Sequence, residues 1–488
     1  MDTKLVLQNT TKENLILKSD AYKYTHWKLY PEGTKTVYSY LEARGSEYKE
    51  MPATIFYGLQ IYLKRYFEGI VIEQWMIDEA EQFCNKMFGQ NYFNREGWQY
   101  IVDAHSGKLP LRIKAVPEGT LVPVHNVLLT IENTDERLPW LTNFFETLLF
   151  EASWYGSTVA SVSFWIKVLI EKYAQKTGEH VSPFHLHDFG YRGVSSFESA
   201  GIGGSAHIIN FLGTDTLAGI EFAMKYYGAD VCAYSVMASE HSVVEMYTKD
   251  HELDAYTRFL EVVPDNAIIS SVSDTYDYKK CVEEFYCKSL KNKILSRSGK
   301  LVVRPDSGYP PEIAVWTLNI LWKYFGGHVT QGQYAGYRVL DPHIGIIYGD
   351  GIDYTMIDRI LDAITNAGFA VSNIIFGQGG ALLQKLNRDT FKMAIKASWG
   401  KVGDTQKDVW KETITDVSKA SKRGRLRLIH NNSGWATYPE TIYDLDTKKE
   451  IPQNNDQLIM VFENGVITKE YTFDEVRANA QKSFNEIQ

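Results

Sequence analysis

The sequence predicts an α/β protein in which an irregular β/α-barrel-like domain is inserted into a discontinuous α+β domain. Two observations carry that expectation. From about Ser153 onward, short apolar runs alternate with helical stretches: FHLHDFG, IISSVSD, LVVRPDSG, IGIIYGDG and NIIFGQGG. Each run closes in Asp, Arg or Gly, and Asp188, Asp274, Asp306, Asp350 and Gly379 recur at intervals averaging roughly one βα unit or slightly more, as in parallel-strand architectures. The segments on either side share a different style, which places residues 1–152 and 391–488 in one domain and 153–390 in the other.

The first segment mixes β-like runs (TKTVYSYLEAR, LRIKAVPEG, VLLTIEN) with an amphipathic helix around IEQWMIDEAEQFCNKMF. After residue 391 the basic stretch SKASKRGRLRL (418–428) leads into the β-like LIMVFENGVITKEYTF and a closing helix, DEVRANAQKSF. In the inserted domain, active sites of parallel-strand folds form where the carboxyl ends of the strands converge. The polar run ends from His187 to Arg388 are therefore expected at one mouth.

With 488 residues the chain exceeds the size at which one core keeps growing. A net charge of -9 argues against a nucleic-acid or anionic-membrane partner, so any polyanion must meet a local basic cluster. Cys84, Cys232, Cys281 and Cys287 form no C-x-x-C pair and read as reduced thiols. The polar N-terminus and the absence of any apolar run near the roughly 18 residues of a membrane helix lead us to expect a cytoplasmic protein.

Several motifs bear chemistry. HLHDFGYRG (185–193) offers Phe189 to stack on a flat heteroaromatic ring and Arg192 to grip phosphate oxygens; alternatively Asp188 caps backbone amides and His187 is a core residue. GTDTLAGIEFAMKYY (213–227) reads as a helix start capped by Thr214 or Asp215, although a carboxylate there can also accept from a ligand amide and repel a ligand carboxylate. His241, in YSVMASEHSVV, follows small residues and has the chemistry of a phosphoryl acceptor; Glu240 beside it is not an automatic partner. Asp274, Asp277, Arg304, Asp306, Asp350 and Asp353 supply carboxylates suited to Mg2+ or a ribose diol, with Arg304 for phosphate. FGQGGALLQKL (376–386) is a strand, a glycine turn and a helix, expected to form a monophosphate site at the positive end of the helix dipole.

Taken together, SDAYKYTHWKLYP, YSYLEARG, HDFGYRGVSS, GTDTLAG, SEHS, SVSDTYD, RPDSG, GDGID, GGALLQKLNRD and SKRGRLRL resemble, in order and over nearly the whole chain, the nicotinamide phosphoribosyltransferases, which are type II phosphoribosyltransferases. The resemblance implies synthesis of nicotinamide mononucleotide and pyrophosphate from nicotinamide and phosphoribosyl pyrophosphate in NAD salvage, with Mg2+ as cofactor and ATP as co-substrate. It also implies a homodimer with shared active sites. Phe189 and the partner's Tyr22 would sandwich the ring, with Asp215 on the carboxamide and Arg192 near ring and phosphate. Ser270, Arg304, Asp306, Asp350, Gly379 and Gly380 would hold the ring, ribose and 5'-phosphate. His241 would be the phosphorylated histidine with Asp274 close by. Arg388, with Arg44, Lys396 and Lys411 from the partner subunit, would hold pyrophosphate or ATP phosphates. Mg2+ would ride mainly on substrate phosphates and waters, its direct ligands unassigned. Two departures stand out: Gln378 beside the glycine turn, and Met237 where proline is common. The rivals are a nicotinate phosphoribosyltransferase, disfavoured by the charge of Asp215, and a catalytically silent nucleotide-binding protein, which has no need of His241.

Overall fold

The computed structural model describes residues 13–90, 92–412, 420–440 and 455–488. Residues 1–12 of the polar N-terminus and Ser418 and Lys419 of the basic stretch lie outside them. The chain divides into two compact units: Met1–Ser161 with Tyr226–Gly228 and Asn387–Gln488, and Val162–Lys225 with Ala229–Leu386. One 37-residue helix, Trp140–Lys176, runs through the first junction, so no break in composition marks it.

The second unit is built on seven parallel strands: β1 (Leu186–Asp188), β2 (Gly213–Thr214), β3 (Met237–Ala238), β4 (Ile269–Val272), β5 (Leu301–Arg304), β6 (Ile344–Tyr348) and β7 (Ile374–Gln378). Their order is β2-β1-β7-β6-β5-β4-β3. Tyr234, just before β3, bridges in parallel to Gly213 of β2; the sheet therefore curls until its edges meet, and strands adjacent in sequence are adjacent round the ring. The five apolar runs of the sequence are β1, β4, β5, β6 and β7. The other two strands have two residues each, too short to show a period.

Helices between the strands follow local rules. In Tyr354–Asn366, Ile357, Ile360, Leu361 and Ile364 recur at the helical period and are buried, and the Asp353 side chain caps the helix by accepting from Met356 N at 2.8 Å. Asp277 likewise caps Tyr278–Lys280, accepting from Lys280 N at 3.0 Å. These two carboxylates, expected at the mouth, are therefore spent on helix starts.

The other unit centres on an antiparallel seven-stranded sheet ordered Thr405–Asp408, Met393–Val402, Thr34–Ala43, Val127–Asn133, Leu111–Ala115, Ile459–Glu463 and Val466–Ile467. Strands from both ends of the chain interleave, so this α+β unit is discontinuous. The amphipathic helix is Gln74–Phe88, burying Met76, Ile77, Ala80 and Cys84. The closing helix, Phe473–Ile487, opens on a capping box between Thr472 and Glu475. None of the four cysteines is in a disulfide, and among the described residues no helix is long and apolar enough to cross a membrane.

Candidate active site

The carboxyl ends of β1, β2, β3, β5 and β6 line a cavity of about 910 Å³, bounded by Phe189, Tyr191, Arg192, Asp215, Ala238, Ser239, Glu240, His241, Ser242, Arg304, Asp306, Gly349 and Asp350. A second cavity of about 590 Å³ continues among the strands; it shares Phe189, Asp215, Ala238 and Arg304, and adds His187, Ser235 and Ser270. Seven of the predicted site residues line the first cavity and Ser270 lines the second.

Phe189 is placed by backbone pairing and by two glycines. Its N-H donates to Gln378 O at 2.7 Å. A Cβ on Gly377 would lie 2.0 Å from its ring, and one on Gly349 3.0 Å. Gly377→Ala is therefore expected to destabilise the protein by about 1–3 kcal/mol through overpacking. A lowered urea midpoint would show it; an unaltered midpoint would mean the ring can move aside freely.

Asp215 is not the helix cap. Neither is Thr214, whose Oγ1 accepts from Thr216 N at 3.0 Å, before the helix Leu217–Tyr227 begins; the Asp215 carboxylate has other partners. His187 Nε2 meets Asp215 Oδ1 at 3.0 Å, and Ser235 Oγ donates to the same oxygen. Oδ2 carries no hydrogen bond among the described residues. Burial works against the charged form, but His187, Ser235 and the field of Arg304 prevail and hold the carboxyl below the usual range. The cavity wall thus presents an ionised oxygen with free lone pairs. Neither His187 nor Ser235 was assigned to Asp215 from sequence, since 28 and 20 residues separate them from it.

His241 begins a short helix, His241–Glu245. Its Nδ1 meets Thr275 Oγ1 at 3.1 Å. Its Nε2 faces Asp306 Oδ2 at 3.5 Å and Asp274 Oδ1 at 3.9 Å. Glu240 turns away to accept from Ser242 Oγ. Thr275 was missed in the sequence; its neighbour Asp274 was the only signal. Burial raises the Asp306 carboxyl pKa above the ordinary carboxylate range, and Asp274 and Asp350 push the same way against Arg304 and His241. Arg304 Nη2 stands 4.0 Å from Asp306 Oδ2.

Buried atoms with no hydrogen-bond partner include Ser270 Oγ, Asp274 Oδ1 and Arg304 Nε. Such atoms are costly unless a water or ligand satisfies them, and Ser270 and Arg304 line the cavities, where a ligand can reach them. Among the described residues, no three His, Cys, Asp or Glu side chains are grouped to hold a metal ion.

The glycine turn differs from expectation. The helix after it is only Gly380–Leu383, too short for an appreciable macrodipole. What the turn offers is bare backbone: Gly380 Cα lies 3.4 Å from where a Gly193 Cβ would stand, so the turn abuts the segment bearing Arg192. Gln378 does not intrude, because its side chain is buried and Nε2 donates to Ile352 O at 3.3 Å.

The barrel unit ends at Leu386, and Arg388 belongs with Arg44, Lys396 and Lys411 in the other unit. There burial, together with the charges of Arg44, Lys411 and Arg388, lowers the Lys396 ammonium pKa below the ordinary lysine range, while Glu146 opposes them. Four cations held against mutual repulsion form a ready polyanion site. Tyr22, 60% exposed, sits in the same unit on the turn Ala21–Lys28. That turn is anchored by Lys23 Nζ donating to Asn143 O at 2.7 Å.

A family model described as the nicotinate phosphoribosyltransferase (NAPRTase) family matches residues 184–466. A second, described as nicotinamide phosphoribosyltransferase, N-terminal domain, matches residues 14–113. The nicotinamide phosphoribosyltransferase of Xanthomonas campestris pv. campestris (strain 8004) is 42% identical over 472 residues, covering 96% of this chain and 98% of that one. That of Acinetobacter baylyi is 34% identical over 497 residues, covering 94% and 95%. Among solved structures, nicotinate-nucleotide pyrophosphorylase from Pyrococcus furiosus has a TM-score of 0.62 at 18% identity, covering 98% of this chain and 99% of that one. Human nicotinic acid phosphoribosyltransferase gives 0.52 at 14% identity, covering 95% and 93%. These last two bear on the fold alone. On its sequence relatives, and with a fold that agrees, the chain belongs to the nicotinamide phosphoribosyltransferases, within the nicotinate phosphoribosyltransferase family of phosphoribosyl-transferring enzymes.

Proposed function

We propose that the chain joins nicotinamide to the ribose of phosphoribosyl pyrophosphate in NAD biosynthesis, as a cytoplasmic homodimer coupled to ATP hydrolysis through His241. The observation that carries the nicotinamide reading is Asp215, whose free Oδ2 on the cavity wall accepts a carboxamide N-H. A nicotinate carboxylate at the same place would meet a like charge. Phe189 supplies one stacking face for the ring, and the partner's Tyr22 the other.

In the reaction the pyridine nitrogen donates its electron pair to C1 of ribose as the C1-O bond breaks and pyrophosphate leaves. Positive charge develops on the sugar, and Asp306 and Asp350 stabilise it electrostatically. Arg192 and Arg304 bind phosphate oxygens, the glycine turn takes the 5'-phosphate, and Arg388, with Arg44, Lys396 and Lys411 from the partner subunit, holds the leaving pyrophosphate. A Mg2+ ion would be carried mainly on substrate phosphates and waters, since the described residues offer no group of three ligands for it. When bound, the ion neutralises pyrophosphate charge.

For ATP coupling, the carboxylates near Nε2 of His241 favour its proton there, leaving the Nδ1 lone pair toward Thr275 as the phosphoryl acceptor. That nitrogen forms a bond to the γ-phosphorus as the bond to ADP oxygen breaks, and water later releases phosphate.

The test offers purified protein phosphoribosyl pyrophosphate and Mg2+ with nicotinamide or nicotinate, with and without ATP. Mononucleotide from nicotinamide, made faster with ATP, is the expected result. Preferential use of nicotinate would reassign the substrate, and no turnover with either would favour a binding role.

A further inference from the structure

We infer that Asp188 is a positioning residue for the pyridine pocket, one buried side chain whose carboxylate and main-chain carbonyl together fix both the stacking wall and the amide-reading wall. The inference rests on the pocket assignment proposed above. Asp188 is completely buried and lines neither cavity, so it touches no ligand.

Its contacts reach every side of the pocket floor. Asp188 Oδ1 accepts from Gly190 N at 2.7 Å, closing the turn that presents Phe189 and leads to Arg192. Oδ2 receives the Thr214 hydroxyl at 3.4 Å, the same hydroxyl that takes Thr216 N. The Asp188 carbonyl accepts from Asp215 N at 2.9 Å. In the sheet Asp188 stands between Gln378 of β7 and Thr214 of β2, and Gln378 O receives Phe189 N. Phe189 and Asp215 are thus both set by one residue. Gly190 cannot be adjusted to replace this clamp, since a Cβ there would lie 2.6 Å from Leu383 and 3.0 Å from Asp188 Oδ1.

A fully buried carboxylate is costly to retain for packing alone. Burial pushes the Asp188 carboxyl up to about 6, the charge of Asp215 acting in the same sense and the Thr216 hydroxyl, the Gly190 N-H and His187 opposing. Above that pH the ionised group is a strong acceptor for Gly190. As pH falls through it, the acceptor weakens and the Phe189 turn loosens, so nicotinamide affinity falls on the acid side.

The experiment begins with wild type: absence of nicotinamide turnover removes the pocket assignment itself, whereas turnover leaves Asp188 to be judged by its variants. Asp188→Ala is expected to raise the nicotinamide KM about tenfold or more, with kcat and the phosphoribosyl pyrophosphate KM moving less than about threefold. Asp188→Asn, whose neutral amide oxygen is the weaker acceptor at every pH, should hold the nicotinamide KM at the raised value that wild type reaches only on the acid side, below that of Asp188→Ala. It should also lose the acid limb of kcat/KM for nicotinamide near pH 6. A folded Asp188→Ala protein with unchanged nicotinamide KM, or with both KM values raised alike, overturns the inference. So does an acid limb that persists in Asp188→Asn, and that profile decides alone if Asp188→Ala fails to fold.

Discussion

His241→Ala is expected to abolish ATP hydrolysis while leaving synthesis at saturating substrate within a few-fold of the rate wild type shows without ATP. The loss in hydrolysis should be on the order of 10³-fold, the scale of removing a nucleophile or a general acid-base group. The reason is geometric. Asp306 and Asp274 face Nε2 at 3.5 and 3.9 Å and Thr275 meets Nδ1 at 3.1 Å, so the ring is held from both sides. No neighbouring side chain offers the same function, since Glu240 is engaged by Ser242. An acid-labile phosphate label on wild type, absent from the variant, would confirm the site of transfer. Hydrolysis at the wild-type rate in His241→Ala would remove the histidine from this role.

The second large effect concerns substrate choice. Asp215→Asn should shift the ratio of kcat/KM for nicotinamide over nicotinate by on the order of 100-fold toward nicotinate, because juxtaposed like charges cost several kcal/mol in a water-poor pocket. The asparagine oxygen still accepts from His187 and Ser235, so the wall should keep its shape. Most of the change should therefore arise from faster use of nicotinate, with a smaller loss for nicotinamide. Measuring both ratios in one preparation separates selection from a general decline. An unchanged ratio would show that charge at this position does not choose the substrate.

Both predictions lean on contacts that the sequence only half reveals. The run SEHS marks His241, but its partner Thr275 is 34 residues away and enters only because β3 and β4 are neighbours. Asp215 shows the limit more clearly. From sequence it is an ordinary helix-cap residue, and only the pairing of β1 with β2 reveals that His187 and Ser235 hold its carboxylate. Asp277 and Asp353 illustrate the reverse case, carboxylates that looked available for a ligand and serve as caps. Local composition cannot tell a capping aspartate from a binding one, since each needs the same side chain on the same kind of turn.

The fold class was legible because β1 and β4 to β7 are apolar runs ending in polar turns, a pattern set by burial on both faces of a parallel sheet. The two-residue strands β2 and β3 were not legible, being too short to carry a period. The division of the cations lay beyond the sequence too. Arg388 follows the glycine turn closely along the chain, yet it stands with Arg44, Lys396 and Lys411 in the antiparallel unit. By itself, then, the sequence determined the architecture, the family and the identity of nearly all the reactive side chains, because those depend on periodicity and ordered motifs. Tertiary structure decided which carboxylates cap and which face the cavity, and that Asp188 underlies both walls. Strand register, a long-range property, sets which lone pairs remain free.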